Sequence, residues 1–201
     1  MIATRTRFGP ADHGVRLTLA EYEEAEYAPG FKYELIEGRL YVSPEPNFAE
    51  SFLERWLSLK LNLFSLTHPA VVNYVATKGR IFLPSKLKPS VPEPDLAVYA
   101  DVPLDLPIAD IHWEDLTPVI IGEVLVDGDS YKDMTRNPDL FLPLKKVKEY
   151  WVLNGAEDAE RPILIQHRRR GKNWGVKRFA YGETFTTPTL PGFELLIDPR
   201  Q

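Results

Sequence analysis

The chain has 201 residues, 44% hydrophobic and 26% charged, with 24 basic side chains against 29 acidic ones and a formal charge of −5. That length suits one globular domain with a sizeable core, and the lack of cysteine excludes disulfides and thiolate zinc sites. The acidic balance argues against a protein that holds nucleic acid by bulk charge alone. There is no apolar run of transmembrane length, and the opening "MIATRTRFGPADHG" lacks the apolar core of a signal peptide. A cytoplasmic protein with no membrane partner is the expectation.

Residues 1–16 read as a flexible arm before a single domain over 17–201. "LTLAEYEEAEYA" reads as a short helix, with Thr18 and Glu21 at capping-box spacing. "YELIEGRLYVS" reads as a hairpin turning at Glu37-Gly38. Asn47 is a candidate N-cap for a long helix in which Phe48, Phe52, Trp56, Leu59, Leu63 and Leu66 recur at helical spacing. Glu50, three residues after Asn47, fits a capping box. Strand-like runs follow in "AVVNYVA", "GRIFLP", "PDLAVYA" and "PVIIGEVLV". The last two are separated by the Pro- and Asp-rich "DVPLDLPIADIHWEDLTP", a surface loop. "YKDMTRNPDLFLPLKKV" reads as a helix made irregular by Pro138 and Pro143. "KEYWVLN" is an apolar strand, and "RPILIQHRRRGKNWGVKRFAYG" a hairpin turning near "RGKN". The order implies an α+β fold, a mixed sheet with helices against it.

The chemistry centres on two acids. Asp95 opens one apolar strand in "VPEPDLAVY", and Glu123 stands alone inside another in "VIIGEVL". Buried carboxylates are paired, protonated or bound to metal. If the two strands are neighbours, these acids and a main-chain carbonyl form a hard oxygen site suited to Mg²⁺ or Mn²⁺. The alternative is structural, with Asp95 capping a strand end and Glu123 in a salt bridge to a covering helix. Glu93 reads as an exposed loop acid. "DGD" at 127–129 reads as a turn, since it lacks the further acids of a calcium loop. Arg168, Arg169, Arg170 and Lys172 in "HRRRGKNWGVKR" can grip a nucleic-acid backbone, with Trp174 stacking on a base. They can equally form a solvated hairpin tip. The four histidines show no ligand spacing, and there is no P-loop, GxGxxG or GxSxG.

Taken in order, "YELIEGRLYVSPEP", "VPEPDLAVY", "IIGEVL" and "KDMTRNPDLFLPLKKVKEYWVLN" resemble the landmarks of the bacterial restriction-endonuclease-like family within the PD-(D/E)xK nuclease superfamily. The resemblance covers roughly residues 17–155. It implies a restriction-endonuclease-like core: a central mixed sheet flanked by helices, with an N-terminal helix and hairpin and a C-terminal hairpin. Asp95 then matches the metal-binding Asp, Glu123 the acid of the second motif, and Val124 the residue whose carbonyl is often a further ligand. Glu34 matches an acid common in the "YEL" stretch. The motif's Lys position is Leu125. The resemblance implies a basic residue on the following helix in its place, with Lys132 and Arg136 the candidates. Arg cannot easily give up a proton, so Arg136 suits bracing a phosphate or orienting water.

Two functions follow. The first is a Mg²⁺- or Mn²⁺-dependent endonuclease acting on DNA. The second is a catalytically inactive nuclease-fold module that binds nucleic acid or protein, motivated by Leu125. A hydrolase of another phosphate ester is a third option without a supporting motif. The resemblance also implies a homodimer, with "FLPL" (141–144) and the long helix as candidate faces.

Overall fold

The computed structural model describes residues 7–83, 85, 88–127 and 130–201. Residues 1–6 of the arm, Pro84 of "GRIFLP" and the last two residues of "DGD" therefore lie outside the described residues. The chain divides into two units, Met1–Pro46 with Arg80–Glu93, and Asn47–Gly79 with Pro94–Gln201.

In the first unit, strand β1 (Arg7–Phe8) is followed by helix α1 (Leu19–Glu24) and strand β2 (Glu26–Tyr27), which pairs with β1 in parallel. Thr18 and Glu21 form the expected capping box. Strands β3 (Phe31–Ile36) and β4 (Arg39–Pro44) form the expected hairpin. Glu37 and Gly38 at its turn have φ of 49° and 72°, the left-handed pair that matches strand twist in a two-residue turn. The core of this unit is Phe8, Leu17, Tyr22, Leu35, Leu40 and Val91. Burial pushes the Tyr22 hydroxyl up to about 12, so it stays protonated and donates to the Tyr33 carbonyl at 2.9 Å. "GRIFLP" forms no strand among its described residues; Leu83 makes an isolated bridge to Ser90.

The second unit opens with helix α2 (Phe48–Thr67), capped by Asn47 and Glu50 as their spacing predicts. Strands β5 (Tyr74–Thr77), β6 (Leu96–Tyr99) and β7 (Ile120–Leu125) follow. Next come a π-helical turn (Lys132–Arg136) and helix α3 (Asn137–Phe141), then strands β8 (Glu149–Asn154), β9 (Ile163–Arg170) and β10 (Asn173–Phe179). A small hairpin of β11 (Thr184–Thr186) and β12 (Glu194–Leu196) was not legible in the sequence. The sheet order is β10-β9-β8-β7-β6-β5, with β7 and β8 parallel and the other pairs antiparallel. It is a mixed α+β fold.

On one face of this sheet α2 buries Leu53, Trp56, Leu57, Leu61 and Phe64 against Leu96, Val98, Ile120, Val124, Trp151 and Leu153. Each such side chain contributes roughly 1.5–3 kcal/mol by burial. The stripe picked out by spacing is largely the outer one, since Phe48, Leu59, Leu63 and Leu66 are exposed. The two stripes share one period, and only packing tells them apart. Strand β7 is buried along its whole length. Gly122 suits its centre because a Cβ there would lie 3.2 Å from the Leu96 Cβ.

Candidate active site

Strand β6 begins at Leu96, which pairs with Gly122; β7 continues beyond that pair to Leu125. The next β7 main-chain N–H on that edge, at Val124, has no strand partner there. Asp95 supplies one, its Oδ2 accepting from the Val124 N–H at 2.8 Å. Within a strand residue the N–H and C=O leave by the same edge, and the edge alternates along the chain. The Leu125 carbonyl accepts the Gly155 N–H at 2.8 Å on the β8 side. The Val124 carbonyl therefore faces the Asp95 side.

Alternation also sets the side chains. Val124 points into the α2 core, while Glu123 projects from the opposite face, with 1% of its surface exposed. Its Oε2 accepts from the Asp95 N–H at 3.3 Å and its Oε1 from Asn137 Nδ2 at 2.9 Å. Asp95, Glu123 and Val124 are thus brought together by adjacent strands. Leu125, two residues on and on the same face as Glu123, is buried.

The π-helical turn brings in the other side chains. In a π turn the carbonyl of Asp133 would be met by the N–H of residue 138, but that residue is Pro138 and has none. The Asn137 N–H goes instead to the Lys132 carbonyl. The Tyr150 hydroxyl fills the gap, donating to the Asp133 carbonyl at 2.8 Å. Burial, and then the nearby Glu123 and Asp133, hold the Tyr150 pKa well above its ordinary value, so this donor persists at neutral pH. Asn137 is fully buried, and its Nδ2 also donates to Asp133 Oδ1 at 3.3 Å. Lys132 Nζ lies 3.8 Å from Asp133 Oδ1. Arg136 donates from Nε and Nη2 to Asn137 Oδ1 at 3.1 and 3.0 Å. Sequence reasoning missed Asn137, Tyr150 and Asp133. Asp133 and Asn137 sit at i, i+4 spacing, but the Asn-Pro step reads as a turn and hides that signal.

Glu34 lies on β3 of the first unit, 3% exposed, and its Oε1 accepts the Glu93 N–H at 2.9 Å. Glu93 lies 3.9 Å from Arg80. In the second unit, the hairpin cations divide. Arg169 donates to the carbonyls of Val147, Leu142 and Leu144 at 2.6, 2.9 and 2.9 Å and lies over the Trp174 ring. The Trp174 N–H donates to the Pro138 carbonyl at 2.8 Å. Arg170 and Lys172 are exposed at the turn. Arg168 lies 3.9 Å from Glu149. Glu149 is fully buried and accepts from Trp151, Gln166, Thr187 and Thr189. This carboxylate, absent from the sequence-based candidates, is committed to packing β8 against the C-terminal segment.

Two carboxylates and a main-chain carbonyl are hard oxygen donors of the kind Mg²⁺ and Mn²⁺ take. Among the described residues no three His, Asp or Glu side chains cluster as ligands. A cation here would therefore rest on Asp95, Glu123, the Val124 carbonyl and water, which fits the partly hydrated way Mg²⁺ is usually bound.

The sequence pattern of the Uma2 family, described as "Putative restriction endonuclease", matches residues 19–198. The chain belongs to the Uma2 family. Its fold agrees with a solved structure described as a putative nuclease belonging to DUF820, from Anabaena variabilis ATCC 29413. That protein is 18% identical, the match covers 90% of this chain and 95% of the other, and the TM-score is 0.70. At that identity the likeness concerns the fold. No curated protein matches the chain. The expected family and fold are thus both shown. No helix among the described residues is long and apolar enough to cross a membrane.

Proposed function

We propose that this Uma2 protein is a divalent-metal-dependent endonuclease hydrolysing DNA phosphodiester bonds. The observation that supports it most is the meeting of Asp95, Glu123 and the Val124 carbonyl where β6 gives out beside β7. Bound there, Mg²⁺ or Mn²⁺ would supply Lewis-acid stabilisation of charge on the phosphate and a more acidic water. The chain's own residues do the positioning. Asp95 and Glu123 present oxygens from two strands, and Asn137 holds Glu123 from the helix side. Lys132 and Arg136 provide positive charge on the covering turn. Arg168, Arg170 and Lys172 are the proposed backbone contacts of the hairpin. Asp95→Ala and Glu123→Ala should each abolish Mg²⁺- or Mn²⁺-dependent cleavage of single- or double-stranded DNA while the fold survives. Cleavage at the wild-type rate by either variant would overturn the assignment.

A second reading has its own observation: Leu125, at the position where the motif carries Lys, is buried and apolar. In that reading the chain is an inactive module that binds nucleic acid or protein. Metal affinity discriminates: such a module need not bind Mn²⁺, and it keeps its nucleic-acid or protein binding when both acids are removed. For the proposed homodimer, "FLPL" offers little surface, since Phe141 and Leu144 are buried, whereas α2 exposes Phe48, Leu59, Leu63 and Leu66.

A further inference from the structure

The Asn137 amide is committed at both ends. Its Nδ2 donates to Glu123 Oε1 at 2.9 Å and to Asp133 Oδ1 at 3.3 Å, and its Oδ1 accepts from two nitrogens of Arg136. An isolated side-chain amide has nearly the same shape when turned end for end. The Arg136 fork removes that freedom, because a guanidinium only donates. The oxygen must face Arg136 and the NH₂ must face the two carboxylates. Asn137 is fully buried, so a turn of the Glu123 carboxylate would strand an N–H away from water, which is costly. Glu123 Oε2 is thereby kept toward Asp95, 3.3 Å from its N–H.

We infer that Asn137 is a positioning residue that fixes the plane of the Glu123 carboxylate toward Asp95, and that Arg136 acts through it by setting the sense of its amide. The inference rests on the reading of Asp95 and Glu123 as a divalent-cation site. It gives Arg136 a part that needs no contact with phosphate or water. The hydroxyl of Tyr150 on the Asp133 carbonyl holds the same turn in place.

The test is a Mn²⁺ titration of the full chain by calorimetry, with thermal melts in parallel. Asn137→Ala should weaken Mn²⁺ binding about 10–100-fold, the usual range for partners that orient a metal ligand. Arg136→Ala should weaken it in the same direction. The double variant should be no weaker than Asn137→Ala, because one residue acts through the other. A purely structural role would lower the melting temperature and leave the affinity of the folded protein unchanged. Wild-type affinity in Asn137→Ala, with binding lost in Asp95→Ala, overturns this inference and leaves the cation site standing. Additive losses overturn the relay from Arg136. No Mn²⁺ binding by the wild type removes the cation site and this inference together. If Asn137→Ala does not fold, Arg136→Ala at a half-buried position carries the test, and unchanged affinity there overturns the relay.

Discussion

Asp95 accepts the Val124 N–H at 2.8 Å, so a side chain stands in for the strand that β7 loses beyond Leu96. The bond ties this acid to the sheet edge as well as to any ion, and the two roles separate by substitution. Asp95→Asn keeps an acceptor for Val124 and loses the charge; Asp95→Ala loses both. Cleavage and Mn²⁺ binding should vanish in both variants. Stability should fall by about 1–3 kcal/mol in Asp95→Ala, the usual cost of stranding a hydrogen-bonding group, and by less in Asp95→Asn. Urea unfolding of the two variants is the check.

Leu125 shares a face with Glu123, two residues on in β7. Leu125→Lys would return a cation to the position where the resembling motif carries one. Cleavage should rise at least ~10-fold, within the range for a positioned acid–base or charge-stabilising group. Stability should drop, because the site is only 3% exposed and a buried ammonium is costly. Rate and melting temperature measured on one preparation separate the effects. A variant that folds and cuts no faster would count against a catalytic part for a cation at this position.

Arg169 and Arg170 are sequence neighbours with opposite surroundings. Arg169 serves three carbonyls, so Arg169→Ala should cost at least about 3 kcal/mol in chemical denaturation. Arg170 and Lys172 are exposed. Their Ala variants should melt within about 0.5 kcal/mol of wild type. If the hairpin holds DNA, each should lower the slope of log affinity against log salt by about 1.

His167 is buried, its Nε2 without a hydrogen-bond partner among the described residues, and lies edge-on to Tyr150 at 5.6 Å. Burial pulls its pKa below the ordinary 6.5. The unfolded chain therefore takes up a proton first as pH falls. The stability this group contributes is present above about pH 6.5 and is lost as pH drops through the folded value. Melting temperature should decline from pH 7 toward pH 5, and less steeply in His167→Gln. Equal slopes would show that burial of His167 does not drive the loss.

By itself, the sequence determined the elements whose signals are local. Caps at Thr18 and Asn47, the turn at Glu37-Gly38 and the apolar runs of β6, β7 and β8 are set by residues within a few positions of one another. It also pointed to Asp95 and Glu123, because an acid in or beside an apolar strand is conspicuous without knowing its neighbours. Only the tertiary structure decided what surrounds them. That Val124 and Asn137 meet these acids depends on strand register and on which face the π turn covers. That Arg169 serves carbonyls while Arg170 faces water depends on strand alternation against the loop after α3. Which of two stripes on α2 is core depends on the sheet beneath it. Such contacts join residues far apart in the chain, and their energy depends on burial, which no short window of sequence contains.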